Sequence, residues 1–396
     1  MNPLRATIAA RVAGMELSVI KDMAVRAART PGAISLAWGV PSFVTPAPIR
    51  AAVQEALDED PDIGRYSLPD GIAEFRAAIV ERHHAATGVR ADAERHVLVS
   101  AGNMQAMSTM LKVLLEAGDE VIVTDPGFCS HLQQIELAGG VPRYWRLDES
   151  RGWQLDMDAL PALVNGRTRA VILVNPSNPT GRIFERDDLL ALAALARRHN
   201  LLILIDDPYS DFVHERAAPL FNLASAPEFA AQVVYMFTFS KAFAMTGWRL
   251  GYLVMPECLK REAIKVHDAE LICAPRISQV AGLAALRMAP PARLEFARII
   301  AARREQICAR LDAMPELFSY QRPQGAYYVF PRILAPHRDS REFALRLLHE
   351  AGVSVTPGAG FGPSGEHHLR MAFCVSEQDI DGAFDRIDGW RRRSQR

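Results

Sequence analysis

Ser240-Lys241-Ala242-Phe243-Ala244-Met245-Thr246-Gly247-Trp248-Arg249-Leu250-Gly251-Tyr252 carries more information than any other stretch of this 396-residue chain. An apolar run, Val233-Val234-Tyr235-Met236-Phe237, precedes it, so the lysine stands at the mouth of a strand. An arginine follows eight positions later. A lysine whose pKa is lowered enough to free some amine can form an imine with an aldehyde. A nearby arginine offers a planar fork of donors suited to a phosphate. An aldehyde and a phosphate on one small molecule describe pyridoxal 5'-phosphate. A surface lysine beside an ion-pairing arginine would look the same in isolation.

Outward from that stretch, the chain alternates short apolar runs with longer helical ones. His96–Ser100, Glu120–Thr124, Ala170–Val174, Leu201–Ile205 and Val233–Thr238 read as strands, and Gln105–Glu116 as a helix ended by Gly118. Continuous apolar runs indicate strands covered on both faces, and strand–helix alternation indicates a mainly parallel α/β sheet. In such sheets ligands sit beyond the carboxyl ends of the strands. Asn103, Phe128, Asn178, Asp206 and Lys241 all fall there. After about residue 290 the texture changes: a long helical stretch, Pro291–Met314, leads into Gly325–Phe330 and Val353–Gly358, which suggests a smaller α+β domain. The expected division is an N-terminal arm over 1–45 that returns to the small domain, a large domain over 46–290 and a small domain over 291–396.

Composition narrows the function classes. The 49% hydrophobic and 23% charged content is that of a globular protein. A net charge of −1 gives nucleic acid no bulk attraction, and the basic tail Arg391–Arg396 reads as a solvated helix end. The five cysteines are odd in number and lack any CxxC pair, which suggests reduced thiols and no metal site. Met1–Arg5 begins no apolar leader, and no run of about 18 uncharged apolar residues occurs, so a cytoplasmic protein without membrane contact is expected.

Four further segments carry chemistry. Asn175-Pro176-Ser177-Asn178-Pro179-Thr180-Gly181 pins a loop after a strand and offers an asparagine that can donate to a phenolate oxygen. Asp206-Asp207-Pro208-Tyr209 follows an apolar strand, and a carboxylate there could pair with a pyridinium nitrogen. Alone, the tetrad better suits an N-cap beside a packed tyrosine. Ser100-Ala101-Gly102-Asn103-Met104 joins a strand to a helix whose first amides can bind an anion. Arg370, in Leu369-Arg370-Met371-Ala372-Phe373, is a lone cation on an apolar strand, costly unless an anion meets it.

In this order the segments resemble the class I/II aminotransferases of the fold-type I pyridoxal-phosphate enzymes, closest to the aspartate and aromatic branch, from about residue 34 to residue 373. S-K-x-F-x-x-x-G-x-R-x-G-Y is similar to that family's Schiff-base segment, with Lys241 as the lysine. The resemblance implies a large mainly parallel sheet of the seven-stranded type and a smaller α+β domain. It assigns Asp206 to the pyridine nitrogen, with Asn178 and Tyr209 on the ring oxygen. Gly102, Asn103, Met104, Thr238, Ser240 and Arg249 would form the phosphate cup, and Phe128 would stack on the ring. Arg370 would take the substrate α-carboxylate beside Gly39, Trp38 and Asn178. Tyr66 would reach the phosphate in a neighbouring subunit, making a homodimer with shared sites.

The implied reaction moves an amino group from an L-amino acid to a 2-oxo acid, with 2-oxoglutarate the expected acceptor and exchange of ping-pong type. Lys241, Asp206 and Tyr209 would be catalytic. The same motifs also suit a C–S β-lyase or related elimination enzyme. A non-catalytic cofactor-sensing module is the other alternative, though the chain has no room for the winged helix that precedes it in such regulators. For a distal carboxylate, Lys112 is a candidate from the arrangement in some bacterial aspartate aminotransferases, though a solvated helix lysine is the better reading of it.

Overall fold

Residues along the apolar runs divide alternately between two hydrophobic layers. Val97, Val99, Val171, Leu173, Ile203, Ile205, Tyr235 and Phe237 belong to one cluster. Leu98, Ala170, Ile172, Leu204, Val234 and Met236 belong to the other, with Met107, Met110 and Leu111 from an overlying helix. Side chains on a strand point alternately to opposite faces, so runs without a polar break belong to a sheet buried on both sides. Each fully buried aliphatic side chain contributes about 1.5–3 kcal/mol.

The computed structural model describes residues 7–214, 220–288 and 290–394. The Met1–Arg5 start of the arm and Gln395 and Arg396 of the basic tail therefore lie outside the described residues. The sheet runs in the order Val97–Ser100, Gly251–Val254, Val233–Thr238, Leu202–Asp207, Thr168–Val174, Glu120–Asp125, Val141–Asp148 and Gln154–Leu155. Only Gly251–Val254 and the two-residue edge Gln154–Leu155 run against the others. Seven strands of four or more residues thus form the expected mainly parallel sheet, with the edge pair as an eighth.

All five strands read from apolar runs are present. Val141–Asp148 and Gly251–Val254 are not visible as such runs. Val141–Asp148 has a proline, Pro142, as its second residue, carries two arginines and a terminal aspartate, and is exposed or half-buried over much of its length. Gly251–Val254 is four residues long and starts inside the lysine segment. The helix placed at Gln105–Glu116 begins earlier, at Asn103, and ends at Leu114. Gly102, at φ 81°, makes the turn that starts it, and Leu115 adopts extended backbone and ends it.

A separate hydrophobic cluster gathers residues from the far end of the chain, including Ile307, Phe343, Leu347, Val353, Met371, Phe384 and Trp390, around the helices Pro290–Asp312 and Glu377–Ser394. The amino-terminal arm joins it: Ile34–Ser35 pairs in parallel with Val353–Ser354, and Leu36 lies in the same cluster. This junction carries Ala37, Trp38 and Gly39 to the carboxyl ends of the large sheet. Among the described residues, no helix is long and apolar enough to cross a membrane.

Candidate active site

At the carboxyl ends of the parallel strands lies a cavity of about 560 Å3, walled by both parts of the chain. Strand Val233–Thr238 delivers Lys241 to it through the short helix Phe239–Ala242, whose first turn is capped by the Thr238 hydroxyl accepting from the Ser240 amide at 3.2 Å. Lys241 Nζ donates to the Gly39 carbonyl at 2.8 Å. Burial lowers its pKa to about 8, and the charges of Arg370 and Arg249 add to that, against Cys374 and Asp206. About a tenth of the amine is therefore neutral at pH 7, against less than about a thousandth for an ordinary lysine, as imine formation needs.

Opposite, Asp206 is the penultimate residue of the neighbouring strand Leu202–Asp207. Both its oxygens are held: Oδ1 accepts from Asn103 Nδ2 at 2.6 Å, and Oδ2 lies 3.1 Å from His131 Nε2. Asn103 thus supports the acid with its side chain while its backbone starts the helix Asn103–Leu114. His131, on the helix Cys129–Leu137, also meets the Phe128 ring edge-on at 5.1 Å. Tyr209 Oη lies 3.0 Å from Tyr328 Oη and 3.5 Å from Asn178 Nδ2. Burial raises the Tyr209 pKa well above the usual phenol value, so its hydroxyl keeps its proton.

Arg370 is 1% exposed on strand Leu369–Ala372. Nη1 donates to Asn178 Oδ1 at 3.1 Å and Nη2 to the Ala37 carbonyl at 2.6 Å. The guanidinium lies over the Tyr328 ring, 4.3 Å from its centroid, and Nε has no partner. Among the described residues no carboxylate lies within ion-pair distance. A buried guanidinium without a counter-charge costs free energy until an anion arrives.

Arg249, at φ 53°, turns the chain back into the antiparallel strand Gly251–Val254. It donates to the carbonyls of Thr246 and Ala101 at 2.8 and 3.3 Å, and it too has no carboxylate partner among the described residues. Thr238, Ser240 and the uncapped N-terminus of Asn103–Leu114 face the same end of the cavity. A Cβ on Gly102 would come within 2.8 Å of Arg249 Nη2 and displace that side-chain end, and the φ of 81° is one that only glycine adopts without strain.

Of the residues expected from the sequence, Trp38, Gly39, Asn103, Met104, Phe128, Asn178, Asp206, Tyr209, Thr238, Ser240, Lys241, Arg249 and Arg370 all line this cavity. Gly102 stands directly behind it. Tyr66 does not line it and is 74% exposed. Lys112 is the helix lysine rather than a site residue: it pairs with Glu270 outside the cavity, because its place on the helix turns it away. Sequence reasoning missed His131, Tyr328 and Lys21, whose ammonium sits 4.3 Å from the centroid of the Trp38 ring at the cavity. Tyr328 lay within the quoted run Gly325–Phe330 without a role, and nothing local marks the other two.

The residues present fit pyridoxal phosphate. A helix N-terminus with two hydroxyls and an unpaired arginine suits a doubly charged phosphate, a low-pKa lysine suits its aldehyde, and a doubly held carboxylate suits its ring nitrogen.

Residues 31–387 match the model of the family described as aminotransferase class I and II. An aspartate aminotransferase of Pyrococcus horikoshii is 34% identical over 383 residues, covering 96% of each chain. An aromatic-amino-acid aminotransferase of Thermococcus litoralis is 34% identical over 359 residues, covering 90% of this chain and 91% of its own. The crystal structure of an aromatic aminotransferase from Pyrococcus horikoshii superposes with a TM-score of 0.88 at 31% identity, covering 94% of this chain and 99% of that one.

Proposed function

The chain belongs to the class I and II aminotransferases, pyridoxal-phosphate enzymes that move an amino group from an amino acid to a 2-oxo acid, and on that premise we propose how its own residues divide the work. The observation that carries the reading is the convergence of Lys241, Asp206 and Arg370 on one cavity. When bound, pyridoxal phosphate supplies an electron sink for the bond broken at the substrate Cα.

Lys241 anchors the cofactor. Once released, its neutral Nζ takes the proton from the substrate Cα as general base, a task matched by a pKa of about 8. Asp206 holds a proton on the ring nitrogen. Asn103 and His131 fix its two oxygens, so no reorganisation is needed as charge develops. Tyr209 and Asn178 would meet the ring oxygen, and Phe128 would cover the ring. The amides at Asn103 and Met104, with Thr238, Ser240 and Arg249, hold the phosphate.

Arg370 gives the α-carboxylate a bidentate seat next to Trp38 and Gly39. Its hold fixes the direction of the Cα–H bond relative to Lys241 Nζ. We assign 2-oxoglutarate as an acceptor. The exposure of Tyr66 supports its reaching the phosphate of a second copy, in a homodimer with shared sites.

Reconstituted protein should absorb as a lysine-bound pyridoxal derivative, and borohydride should bleach that band and leave the pyridoxyl group on Lys241 by mass spectrometry. Label elsewhere overturns the assignment. A panel of L-amino acids with 2-oxoglutarate should then yield glutamate. Release of ammonia and a 2-oxo acid without glutamate would mean elimination instead.

A further inference from the structure

Three cations from three different elements rest on one tripeptide. Arg370, from strand Leu369–Ala372, donates to the Ala37 carbonyl at 2.6 Å. Lys241, from the helix Phe239–Ala242, donates to the Gly39 carbonyl at 2.8 Å. Between them Lys21, from the helix Val19–Arg29, sits 4.3 Å from the centroid of the Trp38 ring. The cavity is lined by four cationic residues, Lys21, Lys241, Arg249 and Arg370, against the single carboxylate of Asp206. The proposed function gives Lys241, Arg249 and Arg370 an imine, a phosphate and an α-carboxylate. It leaves Lys21 with nothing to do.

The position of Lys21 is not one that stability would select. It lies in the first turn of its helix, where the dipole disfavours a cation. Its neighbour Asp22 is engaged by Arg26 and Arg341, and among the described residues Lys21 makes no ion pair. Ser18, at the N-cap of the same helix, lines the cavity too, and its hydroxyl does not close the first turn. Lysine over an indole at an exposed site is a weak resting contact that a carboxylate readily displaces.

We propose that Lys21 is a specificity-determining residue that receives the distal anionic group of the substrate. Dicarboxylic amino acids and 2-oxo acids are then held at both ends, by Arg370 at the α-carboxylate and by Lys21 at the far carboxylate. Side chains without a charge meet the Trp38 face instead. Lys21 takes the role that Lys112, bound to Glu270 outside the cavity, does not fill. This inference rests on the aminotransferase reading of the cavity.

The test compares glutamate with glutamine, which differ only in the distal group. In Lys21→Met holoenzyme the ratio of kcat/KM for glutamate over glutamine should fall about ten-fold, the effect of losing one charged contact at a partly open site. Lys21→Arg should restore most of it. Calorimetry on the wild-type holoenzyme should find glutarate bound more tightly than its monoamide, with the difference shrinking as salt is added and vanishing in Lys21→Met. An unchanged ratio, or glutarate and its monoamide bound equally by the wild type, overturns the proposal. Failure of borohydride to fix the cofactor on Lys241 would instead sink the aminotransferase reading, which separates the two failures.

Discussion

At the scale of single residues, the site works because charges are held where they are uncomfortable. Burial brings the Lys241 ammonium down to about 8 from 10.5, so protonation of the folded protein at this group is lost as pH rises through 8. Trapping of added pyridoxal phosphate by borohydride on Lys241 should therefore reach half its maximal rate near pH 8; a midpoint near 10.5 would show an unperturbed lysine. Arg370 has the opposite problem, a permanent charge buried with no ion pair among the described residues. Arg370→Ala should lower kcat/KM for every amino acid by about 2–5 kcal/mol in activation terms, the cost of deleting one partner of a buried charge pair. Equal kinetics across an amino-acid panel would show that another group holds the carboxylate. Both residues are legible in the sequence because each is a lone cation beside an apolar strand. Lys21 and His131 are not, because each lies on a helix whose facing is decided only when distant elements pack.

At the scale of elements, the junction of strand Val97–Ser100 with helix Asn103–Leu114 does the most with the fewest residues. Gly102 turns the chain at φ 81°, frees the first helical amides and leaves room for the Arg249 guanidinium. An added methyl would meet Arg249 Nη2 and also force a side chain into an essentially glycine-only backbone region, at a cost of about 1–3 kcal/mol. Gly102→Ala should thus raise the dissociation constant of pyridoxal phosphate, measured by titration of its absorbance, by roughly ten-fold or more, with Tm falling by only a few degrees. Cofactor affinity equal to wild type would show that this turn does not shape the phosphate end. The antiparallel strand Gly251–Val254 was hidden by its brevity, yet its reversal brings Arg249 back beside Thr238 and Ser240. Val141–Asp148 was hidden by its polarity, because a strand near the sheet edge keeps one flank in water.

At the scale of the whole molecule, Tyr66 has no role inside its own subunit's cavity, and the proposed dimer gives it one. An interface of the obligate class would bury more than about 2,000 Å2. Tyr66→Phe should weaken cofactor binding by about 1.5–3 kcal/mol, one hydrogen bond to a charged group, without unfolding the subunit. Lys241→Ala subunits, which keep Tyr66, should raise the activity per intact lysine of Tyr66→Ala subunits when the two are mixed at limiting cofactor. No gain after subunit exchange, or full activity in a monomer at high dilution, would rule out sharing. Most of the large sheet was legible because its strands are buried on both faces. The substrate end was less so, because it is built where the arm meets the last third of the chain. That meeting has a temporal consequence. Ile34–Ser35 pairs with Val353–Ser354, and Ala37 holds Arg370, so the substrate grip joins residues more than 300 positions apart. On a ribosome adding ~5–20 residues per second, the lysine emerges on the order of ten seconds before Arg370. A nascent chain can thus assemble its phosphate cup before its arm has anything to pair with, and the arm must wait, unpaired, until residues more than 300 positions later have emerged.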